Sequence, residues 1–226
     1  MILKGDALDL LAEHAGPYDL VATDPPYAFS GSGAEHQLSA TVAVVLRECA
    51  QRMRRGAWMV CFAASSWRST AYVVEATRGI LEPVRIATWC KPGATSKTRT
   101  PGWAWASVNV IALRKGKSAD LPPVVAPDFI VAEPIRNGRR AELPADVAMW
   151  AVRPFTLNGG AMLDPFAGSG RLVAAATYCG MRAMGFEINP SVEERASRAG
   201  GSGLAADETD SPPSGGAPSR AQGDRA

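Results

Sequence analysis

Two short runs carry residue types and spacings suited to chemistry. Asp24-Pro-Pro-Tyr27 follows the apolar run Leu20-Val-Ala-Thr23, and Asp164-Pro-Phe-Ala-Gly-Ser-Gly170 follows Ala161-Met-Leu163. In the first, two successive prolines stiffen the backbone and supply no N–H. The turn therefore presents carbonyl acceptors and the Asp24 carboxylate with no competing donor, and Tyr27 adds a flat aromatic surface. A plain rigid turn would use the same prolines. The chemical reading is more specific. A conjugated exocyclic amine is a poor nucleophile because its lone pair is delocalised, and its attack needs two acceptors for its N–H groups and a platform for its ring. Asp24, Pro25, Pro26 and Tyr27 are thus candidate catalytic residues.

In the second run, Gly168 and Gly170 let a ligand approach the backbone closely, and a helix starting near Arg171 would aim free N–H groups at an anion. A G-x-G run is also explained by a tight turn. The third glycine of a dinucleotide fingerprint would fall at Val173, which disfavours a nicotinamide pyrophosphate and hence a hydride-transferring enzyme. Glu187 closes the next apolar run, at about the distance along the chain from which a strand-end acid reaches ribose hydroxyls. The pocket so described suits a nucleoside whose nearby anion is small, such as the carboxylate of S-adenosylmethionine.

The elements that must position these residues alternate. Strands are expected at 18–23, 57–62, 84–90, 107–113, 161–163 and 183–186, helices at 38–53, 69–77, from about 145, and at 172–179, with an irregular Pro-rich stretch at 121–134. This pattern predicts an α/β fold with a mostly parallel sheet, whose ligands bind beyond the carboxyl ends of the strands. Asp6, Asp24, Asp164 and Glu187 all fall at such ends. The last 28 residues, 199–226, are Gly, Ser, Ala, Pro and acids with one large aliphatic side chain, too little to offset ordering entropy, so a disordered tail is expected.

Composition narrows the class. Apolar residues make up 46% and charged residues 20% of the 226, and the longest apolar run, 57–64, is far shorter than the roughly 18–20 residues of a membrane span. Neither a membrane protein nor a secreted one is expected, and the cytoplasm is the expected location. Four scattered cysteines and two histidines argue against a disulfide framework or a metal site, so no metal is expected. The net charge of +2 hides an uneven distribution: residues 91–140 hold nine Lys and Arg against three acids. The run from Lys91 to Trp105 interleaves Lys91, Lys97 and Arg99 with Trp103 and Trp105, a mixture that serves phosphates and unstacked bases. A hairpin loop with its tryptophans packed on the body would have the same composition. Arg136, Arg139 and Arg140 extend the basic surplus.

Asp-Pro-Pro-Tyr, Asp-Pro-Phe-Ala-Gly-Ser-Gly and the following Phe186-Glu-Ile-Asn189 together resemble the S-adenosylmethionine-dependent DNA amino-methyltransferases of the adenine-N6 and cytosine-N4 family. With Asp-Pro-Pro-Tyr first, the order resembles the permuted β group, and the resemblance spans nearly all of residues 1–198. It implies a Rossmann-like methyltransferase fold with a seven-stranded, mostly parallel sheet ordered 3-2-1-4-5-7-6 and an antiparallel hairpin strand. It implies cofactor contacts from Asp6 and Ala7, from Asp164, Pro165, Phe166, Ala167, Gly168, Ser169 and Gly170, and from Glu187, Ile188 and Asn189. Trp89-Cys-Lys-Pro92 and 108–115 resemble the family's W-x-K and returning strands. Two family features differ: Arg171 stands where a Thr is common, and 139–144 reads Arg-Arg-Ala-Glu-Leu-Pro for H-P-x-x-K-P, leaving Arg171 and Arg140 as cations for the cofactor carboxylate.

The implied substrate is double-stranded DNA with a flipped base, since a stacked amine is out of the cofactor's reach. Asp24 favours adenine N6, because cytosine-N4 relatives more often carry Ser there; RNA or amide amines and an inactive DNA-binding relative are the alternatives. Only about 116–138 is left for target recognition, which suggests a small site, a homodimer or modest selectivity.

Overall fold

The computed structural model describes residues 1–26, 33–92, 105–117, 124–135 and 142–189, and of 33–39 the backbone alone. All belong to the first of the chain's two units, Met1–Ser191. Tyr27, Lys97, Arg99, Trp103, Arg136, Arg139, Arg140 and the 199–226 segment lie outside the described residues.

In chain order the elements are β1 (Ile2–Lys4), α1 (Ala7–Glu13), β2 (Tyr18–Thr23), α2 (Gly33–Gln51), β3 (Met53–Ala64), α3 (Trp67–Ala76), β4 (Glu82–Cys90), β5 (Ser107–Arg114), β6 (Phe129–Val131), α4 (Ala145–Val152), a 3-10 turn (Arg153–Phe155), β7 (Ala161–Asp164), α5 (Arg171–Tyr178) and β8 (Arg182–Glu187). One sheet takes the order β1-β8-β7-β2-β3-β5-β4-β6. β5 runs antiparallel to β3 and β4. The other pairs are parallel. Numbered from the glycine-rich strand β7, this is the expected 3-2-1-4-5-7-6 with an eighth strand added.

The added strand is β6, inside the stretch expected to be irregular. Phe129-Ile-Val131 pairs with Thr88–Cys90, and Thr88 N→Asp128 O at 2.9 Å and Ala132 N→Cys90 O at 3.1 Å lengthen the ladder at both ends. Its residues have high strand propensity, but at three residues between prolines the run is too short to stand out in a sequence. Helix α1 also lacked a signal. It is seven residues long and capped by Asp6, whose Oδ1 accepts from Leu8 N at 2.8 Å.

Alternation along the central strands builds a layer on each face. From β3, Met59, Cys61 and Ala63 join Leu11, Val45, Leu46, Val73 and Ile111 beneath α1, α2 and α3. Val60 and Phe62 join Leu20, Val147, Met162 and Leu172 beneath α4 and α5. With both faces covered, β2 and β3 read as almost unbroken apolar runs.

At the foot of the sheet, Lys115 ties a helix end to the β3–β5 pair. Its Nζ donates to the carbonyls of Ala50, Gln51 and Met53 at 2.9, 2.7 and 2.9 Å, where α2 leaves acceptors unpaired. Burial lowers the ammonium's pKa. Lys115→Met should therefore reduce the unfolding free energy by about 2 kcal/mol, because it strands acceptors as well as removing charge-assisted bonds. The expected reading is a lower urea midpoint at unchanged slope.

Asp164 ends β7, between β8 and β2, and is 1% exposed. Burial pushes its carboxyl up to about 7, with nearby Asp24 and Glu187 adding to the rise. The Phe166 N–H, donating at 3.1 Å, opposes it, as does the Thr23 hydroxyl, which lies beside the carboxyl outside full hydrogen-bond geometry. The folded chain thus keeps a proton that the unfolded chain releases near its ordinary value of 3.8. Stability from this group is complete below that value and is lost as pH rises toward about 7. Thermal melts of the ligand-free protein should show that decline, and Asp164→Asn, which keeps the acceptor for Phe166, should flatten it.

Candidate functional site

A cavity of about 450 Å³ opens at the carboxyl ends of β1, β8, β7 and β2. Its walls come from Gly5, Asp6 and Ala7 after β1, Asp24 and Pro26 after β2, Pro165, Phe166 and Gly168 after β7, and Phe186, Glu187, Ile188 and Asn189 at the end of β8. Residues about 140 positions apart meet here because β2 pairs with β7, Leu20 beside Met162 and Val21 beside Leu163. Thr41 and Val45, one turn apart on α2, complete the wall. Sequence reasoning did not single them out, and nothing in their spacing distinguishes them from an ordinary helix face.

The turn after β7 is held by the acid after β8. Glu187 Oε2 accepts from Gly168 N at 2.8 Å, and its Oε1 accepts from Asn189 N at 2.9 Å. Backbone bonds Ala167 N→Phe186 O at 2.9 Å and Gly5 N→Glu187 O at 3.1 Å stitch the turn and β1 to the same strand. The carboxylate expected to meet ribose hydroxyls therefore first shapes the turn, keeping further acceptor capacity toward the cavity.

The two glycines of this turn do different work. Gly168 has φ +51° and a Cβ there would enter open space in the cavity, a cradle that a side chain would fill. At Gly170 (φ +78°) a Cβ would lie 2.5 Å from Ile2 Cδ1, so this glycine lets α5 begin against β1. The Gly168 and Gly170 N–H groups are taken, by Glu187 and by Ala167 O at 2.7 Å, which leaves the first turn of α5 from Arg171 onward as the place where the sequence expects free donors. Ala167 is buried, as Asp164 is, and Ser169 is not among the lining residues.

Arg171 is engaged as well. Its Nε and Nη2 donate to Glu142 Oε1 at 2.9 and 2.6 Å, clamping the start of α5 to the segment before α4. Leu143, at the position of the family's lysine, is buried. A guanidinium–carboxylate clamp thus stands where a lysine and a hydroxyl were looked for.

At the mouth, Pro25 is buried, Asp24 half-buried and Pro26 exposed. Lys91 lies at the end of β4 with Nζ 5.5 Å from the ring centre of Trp89, whose Nε1 donates to Ala132 O at 2.9 Å. Burial lowers the Lys91 pKa while the charge of Asp24 raises it, so the two groups share one field. Trp105 is 51% exposed just before β5.

The cavity fits an adenosine-like ligand: acids at Asp6 and Glu187, apolar walls at Phe166, Phe186 and Ile188, an open backbone cradle at Gly168, and Asp24 at the rim. Among the described residues no group of His, Cys, Asp and Glu is arranged to hold a metal ion. No described helix is long and apolar enough to cross a membrane.

Solved structures with the same fold include TTHA0409 from Thermus thermophilus, a candidate DNA modification methylase, complexed with S-adenosyl-L-methionine. It is 23% identical, with a TM-score of 0.65 over 87% of this chain and 93% of that one. M1.HpyAVI, also with S-adenosylmethionine, is 19% identical, with a TM-score of 0.66 over 88% and 96%. The cytosine-N4-specific PvuII DNA methyltransferase is 16% identical, with a TM-score of 0.62 over 84% and 82%. No curated protein sequence matches closely enough to count as a relative. The model of the DNA methylase family that joins N6 and N4 enzymes matches residues 84–198, just over half of the sequence. The chain therefore belongs to the N6/N4 DNA methylase family.

Proposed function

We propose that this DNA methylase transfers a methyl group to the exocyclic N6 amine of adenine in double-stranded DNA, with the target base flipped out of the duplex. The observation that carries the reading is the position of Asp24, first residue of Asp-Pro-Pro-Tyr, on the rim of the adenosine-like cavity. Aspartate rather than serine at this place favours adenine over cytosine N4.

S-adenosylmethionine is the cofactor, and when bound it would supply a methyl group whose bond to the cationic sulfur breaks as the new bond forms, the sulfur departing as a neutral thioether. Glu187 and Asp6 hold the ribose and base of the nucleoside, and the Gly168 cradle admits it without a side chain in the way. Asp24 and the carbonyls of the proline turn accept hydrogen bonds from the target amine, drawing its lone pair out of conjugation. As nitrogen attacks, positive charge grows on it and the bond to Asp24 strengthens, so this contact stabilises the transition state more than the ground state. The amine then loses one proton, which leaves by way of the same carboxylate. Tyr27 supplies the face on which the base stacks, and Lys91, Trp105 and the 91–140 basic surplus meet DNA phosphates and bases. Residues 1–198 form the catalytic domain, about 116–138 its short recognition insertion, and 199–226 an acidic tail.

Expression in a methylation-deficient host, followed by digestion and mass spectrometry of its DNA, should find N6-methyladenine; N4-methylcytosine would move the assignment to the cytosine branch. Asp24→Ala should abolish most methylation while keeping cofactor binding and much of the DNA affinity. A folded Asp24→Ala protein working at the wild-type rate would refute the role of Asp24. Glu187→Ala should weaken S-adenosylmethionine binding about ten- to hundredfold by calorimetry, the loss expected for charge-assisted hydrogen bonds.

A further inference from the structure

Strand register carries the end of β3 beyond the end of β2. Thr23, the last residue of β2, lies beside Cys61 of β3, and β3 continues three residues further to Ala64. At about 3.3 Å per residue, β3 ends roughly 10 Å beyond the level of the Asp24 strand end. Ala64 is level with Val108 of β5, and Val108 with Trp89 of β4. The chain therefore leaves the sheet at one height in three places: Ser65–Arg68 after β3, Trp105–Ala106 before β5, and Lys91 after β4, the last joined to the second by Lys91 N→Ala106 O at 2.8 Å. These three form a raised rim beside the recessed Asp24.

The first part of that rim is unusual. Trp67 is 87% exposed, although an indole normally finds a surface to cover, and Arg68 beside it is exposed too. Their backbone is held firmly. Ser66 caps α3, its Oγ accepting from Ser69 N at 3.1 Å and donating to Ser69 Oγ at 2.9 Å, and Thr70 in the same first turn takes a hydrogen bond from Asn109 Nδ2 of β5 at 3.2 Å. A bare indole and a guanidinium are thus presented on a rigid helix start, at the same end of the sheet as Asp24.

Building on the proposed DNA methylation, we propose that Trp67 and Arg68 form a DNA-contacting step on this rim, the indole stacking on bases unstacked when the target flips and Arg68 pairing with an adjacent phosphate. The occupant is DNA rather than a protein because the rim joins exposed aromatics, Trp67 and Trp105, to the cations Arg68 and Lys91, and stands at the same end of the sheet as Asp24. A flipped base leaves a gap beside its neighbours, and a flat, rigidly mounted aromatic at the height of the duplex surface fills that gap at low entropic cost. Trp67 acts on DNA and touches neither the cofactor nor the reacting amine, so it is a positioning residue.

The test is steady-state methylation of unmethylated genomic DNA with labelled S-adenosylmethionine, alongside calorimetric binding of the cofactor. Trp67→Ala should raise KM for DNA about 5- to 150-fold, the range that loss of one base–aromatic stack produces, with cofactor affinity unchanged. Trp67→Phe should recover most of the loss. Arg68→Ala should lower the slope of log affinity against log salt by about one. Unchanged KM and salt slope in these variants would overturn the proposal while leaving the methylase reading intact. If Trp67→Ala does not fold, Trp67→Gln, which also removes the aromatic face, and Arg68→Ala decide the matter by KM for DNA and by the salt slope. Failure of the wild-type protein to methylate any DNA would instead refute the proposed function, and this inference with it.

Discussion

The pairing of β2 with β7 is the constraint on which the rest depends. It is brief, two register pairs, yet it brings the proline turn after β2 within reach of the glycine turn after β7. Asp19 reinforces it from the foot of β2, its Oδ2 accepting from Ala161 N at 2.8 Å while Arg54 stands 3.6 Å from its other oxygen. Because both strands lie centrally and are covered on both faces, the pair cannot slip by one residue without turning Leu20, Val21, Met162 and Leu163 to the wrong layers. Precision at the reaction centre follows from apolar packing that takes no part in the chemistry.

Around that axis the acids divide their work by depth. Glu187, at the rim of the cavity, spends acceptor bonds on shaping the turn. Asp164, sealed beneath the same turn, has its carboxyl pKa raised by burial. Asp24 is half-buried, as Glu187 is, and lies in the field of Lys91. The three carboxyl groups thus differ in solvation and in partners although they sit at one end of the sheet.

Strand order was legible through the resemblance of the motifs to a known permuted arrangement, and the acids of the cavity because Asp6, Asp24 and Glu187 each close an apolar run, which is a local signal. What escaped notice depends on distant partners. β6 is a strand only because β4 offers it a free edge, and α1 exists because Asp6 caps seven residues that would not be helical alone. Thr41 and Val45 enter the site through the placement of α2, which no spacing within α2 encodes. The separate tasks of Gly168 and Gly170 are invisible locally, because Ile2, which excludes a side chain at Gly170, lies at the other end of the chain. Trp67 lies just before the helix expected at 69–77, where no local pattern marks its exposure.

Gly185 in β8 binds the history of this site together. A Cβ there would come within 2.6 Å of Ala167 Cβ and 2.9 Å of Val173 Cγ2. The turn after β7, the first turn of α5 and the strand that ends in Glu187 therefore share one small volume. Enlargement at any of the three positions must wait for shrinkage at another, and two of the three are already Ala and Gly, with nothing left to give up. A larger side chain at any of these three positions therefore forces backbone to move, whereas one on the outer face of the sheet edge meets solvent.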